Sequence, residues 1–364
     1  MSLSKLFFAI AIFFLPFTAT SQSKNISVIA YYAGSPTQVD SFKIEQLTHI
    51  IFSFCHLKGN ELHVNNARDT ATIQNLVELK KRNPALKVIL SLGGWGGCAT
   101  CSDIFSTKKN RKIFAQSVKH LNDYFQTDGI DLDWEYPAIE GFPSHPFKAE
   151  DKLNFTRLVN RLRKTLGKGQ QISFAAGGFE KFINQSVEWE KVMKKVDRVN
   201  LMTYDLVNGY ATVTGHHTPL YSTPQQVEST DHAVKLLINA GIPANKIVIG
   251  AAFYARIWQQ VPDSGFGLYQ SGKYQKNENF RSIKTHLLDS GFIYHWDDIA
   301  KAPFLYNPEE KRFATYDDKR SITLKTQYAI THGLDGIMFW QLGSDAFEDG
   351  LLQAIDDAKK QSSK

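Results

Sequence analysis

The chain has 364 residues, 43% of them hydrophobic and 12% aromatic, enough to bury the core of one large domain or two ordinary ones. Its formal net charge is +6 with no basic block, which excludes the electrostatic footprint of a nucleic-acid-binding protein.

Residues 1–21 have the pattern of a signal peptide. Lys5 supplies a positive start, residues 6–17 form an apolar run, and Ala19-Thr20-Ser21 offers the small residues a signal peptidase reads. That run is too short to span a bilayer, which takes about 20 residues. Cleavage is expected after Ser21, leaving Gln22 first and residues 22–364 as a secreted or periplasmic protein with no membrane attachment. No cysteine follows the cleavage point to carry a lipid.

Strand-like runs then recur at 27–32, 48–55, 87–92, 129–135, 171–176, 198–204, 246–253 and 336–341. Amphipathic helices fit between several of them. Residues 72–82 place Ile73, Leu76, Val77 and Leu79 on one face; 109–125 and 152–166 repeat the 3.6-residue period. Strands alternating with helices argue for a parallel sheet, and eight such units suit a (β/α)8 barrel. An active site would then lie at the C-terminal ends of the strands. Residues 255–324 break the rhythm between the seventh and eighth strands. They read as a small α+β insertion with a helix near 280–290, since structureless loops of that length are uncommon. There is no tandem repeat or Pro/Ser-rich linker, so no appended binding module is expected.

Three cysteines are present: Cys55, Cys98 and Cys101. Cys98 and Cys101 could close a local disulfide, which export permits. Neither a thioredoxin-like redox context nor a second ligand pair for zinc is evident. Cys55, in an apolar run, reads as a buried free thiol.

The most informative stretch is Asp128-Gly129-Ile130-Asp131-Leu132-Asp133-Trp134-Glu135-Tyr136-Pro137. Asp131, Asp133 and Glu135 alternate with Leu132 and Trp134. On a strand they would leave the same face, with Cα atoms about 6.6 Å apart. Like charges that close raise at least one pKa, and a carboxyl titrating near neutrality is suited to general-acid catalysis. The spacing fails the EF-hand test for calcium. Asp128, off the shared face, reads as structural, and Trp134 is expected to pack beneath the helices.

With these residues in view, the chain resembles glycoside hydrolase family 18, the chitinases and their relatives. The 128–137 segment matches that family's fourth-strand signature. Ser91-Leu92-Gly93-Gly94-Trp95, Met202-Thr203-Tyr204-Asp205, Phe253-Tyr254-Ala255-Arg256 and Met338-Phe339-Trp340-Gln341 resemble its third, sixth, seventh and eighth strand motifs, in order. The insertion resembles the chitinase insertion domain, which walls one side of a cleft.

The resemblance implies an endo-acting chitinase that hydrolyses β-1,4 linkages between N-acetylglucosamine units with retention. The substrate's acetamido group replaces a protein nucleophile, and no metal or cofactor takes part. Glu135 would be the general acid. Asp133 would bind the acetamido N–H, Asp131 would share a proton with Asp133, Tyr204 would donate to the acetamido carbonyl, and Asp205 would bond the sugar. Trp340 would floor the cleavage point and Trp95 the next sugar, with Tyr136, Arg256, Met202, Phe54 and Tyr31 lining the cleft. The expected partner is chitin or its oligosaccharides, bound by a monomer. Ser91 would bond Asp131, and Gly93 and Gly94 would allow a tight turn. Gly177-Gly178 and Gln341 depart from the family's usual residues. The alternatives are an endo-β-N-acetylglucosaminidase acting on N-glycans and a non-catalytic chitin-binding lectin; the Trp-Glu-Tyr-Pro ending and the retained Glu135 weigh against them.

Overall fold

A computed structural model describes residues 26–362. The expected signal peptide lies outside the described residues. The strands are β1 (Ser27–Tyr32), β2 (His49–Lys58), β3 (Glu61–His63), β4 (Lys87–Gly93), β5 (Gly129–Asp133), β6 (Gln171–Gly177) and β7 (Arg198–Met202). They continue with β8 (Ile247–Ala252), β9 (Tyr254–Gln259), β10 (Lys273–Asn279), β11 (Ile293–Asp297), β12 (Ala302–Asn307), β13 (Arg312–Thr315) and β14 (Gly336–Trp340). Eight of them pair in parallel in the order β1-β14-β8-β7-β6-β5-β4-β2, and β2 returns to β1, closing a (β/α)8 barrel. β3 adds an antiparallel hairpin to β2.

Period-2 alternation sorts the strand residues into two shells. Val28, Ala30, Ile50, Leu90, Ile130, Leu132 and Phe174 point outward and pack against the helices. Ile29, Tyr31, Ile51, Ile89, Ala175, Met202, Val248 and Met338 fill the lumen. Trp134 lies on the outer side, 5.6 Å from the Phe105 ring and 6.3 Å from Phe155, as its place in the alternation implied.

The helices start earlier than their apolar stripes. The first runs Ala67–Glu78, where Asn66 caps the helix by accepting the Asp69 N–H at 3.0 Å. The next runs Lys108–Phe125 behind Thr107, which accepts from the Asn110 N–H at 3.2 Å. The third runs Asp151–Leu166. Their opening turns are largely polar, so hydrophobic periodicity alone cannot see them.

Between β8 and β14 the chain builds a five-stranded antiparallel sheet in the order β10-β9-β13-β12-β11. Helix Phe280–His286 covers one face through Ile283 and Leu287. Trp258, Phe304 and Phe313 pack the other face against Val207 and Ala211 of the segment after β7. The expected end of the insertion, Leu324, falls inside helix Lys319–Thr331. Among the described residues no helix is long and apolar enough to cross a membrane. Cys98 and Cys101 are joined as a disulfide, and Cys55 is buried and free.

Candidate active site

The carboxylate ladder rises through the lumen, but the strand that carries it is shorter than its sequence suggests. β5 ends at Asp133, so Glu135 stands two residues past its end rather than on the strand. The Asp133 carbonyl is taken by the Gly94 N–H at 2.9 Å, the last bond of the ladder that sets Gly93 of β4 opposite Asp133. That contact explains the glycines. Gly93 has φ 110°, and a Cβ there would lie 2.1 Å from the Asp133 carbonyl oxygen. Gly94 has φ 82°, and its Cβ would enter the Phe54 ring.

Asp131 is wholly buried and accepts four hydrogen bonds: from Ser173 Oγ at 2.6 Å, Ser91 Oγ at 2.9 Å, Tyr31 Oη at 3.1 Å and Asn200 Nδ2 at 3.1 Å. Burial still lifts its pKa, against the pull of those donors. Asp131 and Glu135 flank Asp133, and after burial the charges of both raise its pKa, Glu135 the more. Asp133 is 4% exposed, and its Oδ1 is buried without a hydrogen-bond donor. Burial, then the charges of Glu135 and Asp131, hold the Asp133 pKa well above the ordinary carboxyl range. Burial also raises Glu135, with Tyr136 opposing through a hydrogen bond and Asp205 adding to the rise through its charge. The two carboxyls are both raised and interact, so their titration belongs to the pair.

Tyr204 follows β7. Among the described residues its hydroxyl has one hydrogen-bond partner, the Met338 sulfur at 3.9 Å, and burial followed by the Asp133 and Glu135 charges raises its pKa well above the ordinary phenol value. It is a donor with no strong acceptor. Asp205, with φ 58°, accepts on its Oδ1 from Tyr254 Oη at 2.5 Å and Arg256 Nε at 2.5 Å, with His217 Nδ1 3.4 Å away and not hydrogen-bonded to it. Burial works to raise its pKa, but His217 and Arg256 outweigh it and hold Asp205 below the usual range. Asp205 is thus a fixed anion beside a raised Glu135.

The aromatics form the mouth. Trp340 stacks on Phe54 at 5.6 Å and lies 6.2 Å from Tyr31. Trp95, 47% exposed, meets Phe142 at 5.6 Å, and Tyr136 and Tyr210 each at 6.4 Å. Cis peptide bonds precede Phe54, Tyr136 and Gln341. Two expected lining residues lie deeper. Tyr31 is buried with its hydroxyl committed to Asp131, so it braces the ladder; Met202 packs in the lumen cluster. Asp128 lies at the other end of the barrel, 2.6 Å from Lys80 and accepting the Val88 N–H at 2.8 Å, a structural role. Sequence reasoning missed Tyr210, Phe142, Tyr254 and His217. Tyr254 sat inside a quoted motif and His217 in a His-His doublet, the only local signals for either. Among the described residues no group of three or more His, Cys, Asp or Glu side chains is arranged to hold a metal ion.

A buried ladder of acids, an uncommitted tyrosine hydroxyl and exposed aromatic faces at the C-terminal mouth of a barrel is the furniture of a carbohydrate-cleaving site. Residues 26–345 match the family model "Glycosyl hydrolases family 18". The chain belongs to that family. It is a glycoside hydrolase whose relatives include chitinase A1 of Niallia circulans, 33% identical over 298 residues, a match covering 75% of this chain and 42% of that protein. Chitinase 1 of Aphanocladium album is 30% identical, with 85% of this chain and 78% of the relative matched. Among solved structures, a family 18 N-acetylglucosaminidase from Paenibacillus barengoltzii aligns with a TM-score of 0.83 at 35% identity, covering 92% of this chain and 100% of that one. This glycoside hydrolase thus spans less than half of the first relative and all of the last.

Proposed function

We propose that this glycoside hydrolase is an exported, endo-acting chitinase that cleaves β-1,4-linked N-acetylglucosamine chains with retention, using the substrate's acetamido group as nucleophile. One observation carries the reading: a buried Asp133 oxygen with no hydrogen-bond partner, beside Glu135, whose pKa burial pushes up to about 8. A buried acceptor without a partner is costly, and an acetamido N–H at the cleavage point would satisfy it. Asp133 would then hold the acetamido group with its carbonyl oxygen toward the anomeric carbon, and Tyr204 would donate to that oxygen.

The steps follow from these groups. Glu135 gives its proton to the glycosidic oxygen as the bond from that oxygen to the anomeric carbon breaks. The acetamido oxygen closes on the same carbon, and Asp133 balances the positive charge of the oxazolinium ion. Water then attacks the anomeric carbon and returns its proton to Glu135. Two inversions leave the configuration retained. Asp205, held by Arg256 and Tyr254, would bind a sugar hydroxyl and sustain the raised Glu135 pKa. Trp340 would floor the reacting sugar. Exposed Trp95 and Tyr210 extend the stacking surface outward, which supports binding inside a chain rather than at one terminal sugar.

The neighbour described as an N-acetylglucosaminidase favours a second reading, in which single sugars are removed from a chain end. A proton NMR time course on the N-acetylglucosamine hexamer tests both. Fresh β-anomer with dimers to tetramers supports the endo-acting chitinase. Fresh β-anomer with monomer and pentamer moves the reading to terminal removal, and fresh α-anomer sinks the acetamido-assisted mechanism.

A further inference from the structure

Lys325 and Asp317 form an ion pair at 2.7 Å with both side chains fully buried. A buried ion pair is a weak source of stability, because desolvation offsets much of the attraction. Its surroundings point to a different role. Lys325 Nζ also donates to Thr218 Oγ1 at 2.5 Å. The Thr218 hydroxyl proton is shared between Asp317 Oδ2 at 3.0 Å and the Thr203 carbonyl at 3.2 Å. Asp317 in turn accepts the Ala252 N–H at 3.0 Å, at the end of β8, and the Ser321 hydroxyl at 2.7 Å.

The Thr203 carbonyl belongs to the peptide that leads into Tyr204. On the other side of the pair, the Leu206 N–H donates to the His217 carbonyl at 3.0 Å. So the two residues Tyr204 and Asp205 are gripped at both ends by the consecutive residues His217 and Thr218, and the His217 ring meets Asp205 as well. The gripped segment contains a non-glycine residue in the left-handed region, Asp205 at φ 58°. Such a conformation persists only where its surroundings over-determine it.

We infer that Thr218, anchored by the buried Asp317–Lys325 pair, is a positioning residue that aims Tyr204 and Asp205 at the substrate from behind. The inference rests on the function proposed above. None of the three side chains touches the sugar; they act through the backbone on either side of Tyr204 and Asp205. A positioning error at a reacting centre lowers turnover more than binding.

The test compares Thr218→Val, which keeps the shape and removes the hydroxyl, with Thr218→Ser, which keeps the hydroxyl. The valine variant should lose at least tenfold in kcat on the hexamer with KM changed less than twofold, and the serine variant should recover to within threefold of the unmodified enzyme. Lys325→Met should show the same kcat loss if it folds. Full kcat in the folded valine variant, or equal losses in valine and serine, would overturn the inference. Hydrolysis by the unmodified enzyme tests the proposed function separately. Were the unmodified protein to bind the hexamer without cleaving it, the proposed function would fail and the inference would fall with it.

Discussion

Replacing Tyr204 with phenylalanine separates the chemistry of the site from its packing. Among the described residues the hydroxyl's only hydrogen-bond partner is the Met338 sulfur at 3.9 Å, a weak acceptor. An ordinary hydrogen bond is worth a net ~0.5–1.5 kcal/mol, and this contact falls at or below the bottom of that range. The ring stays, against Tyr254 at 6.4 Å and the lumen cluster. Stability should therefore move by less than about 0.5 kcal/mol, roughly 1–2 °C in Tm for a domain of this size. The transition state is different. A donor that holds the acetamido oxygen in line with the anomeric carbon acts by positioning, and misplacing a reacting group costs about 10²-fold in rate. The variant should lose about that factor in kcat with KM changed little, because the acetamido group stays bound through Asp133 but is no longer aimed. Initial rates on the N-acetylglucosamine hexamer, with a thermal melt of the same sample, provide the measurement. A kcat within threefold of the unmodified enzyme would refute the role given to Tyr204. A melt lowered by more than about 5 °C would refute the claim that its hydroxyl is uncommitted.

Three other outcomes follow from the same geometry. Glu135→Gln removes the general acid and should lower kcat by about 10² to 10⁴ while hexamer binding persists, with Tm unchanged or raised because a buried ionisable group beside Asp133 becomes neutral; unchanged behaviour in every assay would favour a lectin. Glu135 must carry its proton to act, so activity should be full below its raised pKa and fall as pH rises through it; since the Asp205 charge contributes to that rise, Asp205→Asn should shift the alkaline limb of kcat/KM to lower pH, and a shift upward would contradict the assignment. Asp345 accepts the N–H groups of Leu351, Leu352 and Ala346 at 2.8 to 2.9 Å, so Asp345→Ala should orphan them and cost about 2–4 kcal/mol in denaturant unfolding; a loss below about 0.5 kcal/mol would show that water replaces the carboxylate.

What could be read from the sequence was set by local periodicity. Period 2 placed Asp131 and Asp133 on one face of β5 and Leu132 and Trp134 on the other, and both shells of the barrel obey it. The same rule overreached at Glu135. Alternation continues through that residue in sequence, but the last ladder pair of β5 sets Asp133 opposite Gly93, a residue separated from it by a whole helix, and the strand ends there. The donors around Asp131 were hidden for a similar reason. Ser173 and Asn200 come from β6 and β7, and only closure of the barrel brings their donors to Asp131. The strap behind Tyr204 lies further from local reasoning still. Thr218 and Lys325 are 107 positions apart, and neither carries a pattern that announces the other. Acids displayed on a strand can therefore be read from spacing, because the strand itself sets their geometry. The groups that fix protonation and aim come from other elements, and their identity becomes visible only once the barrel has closed.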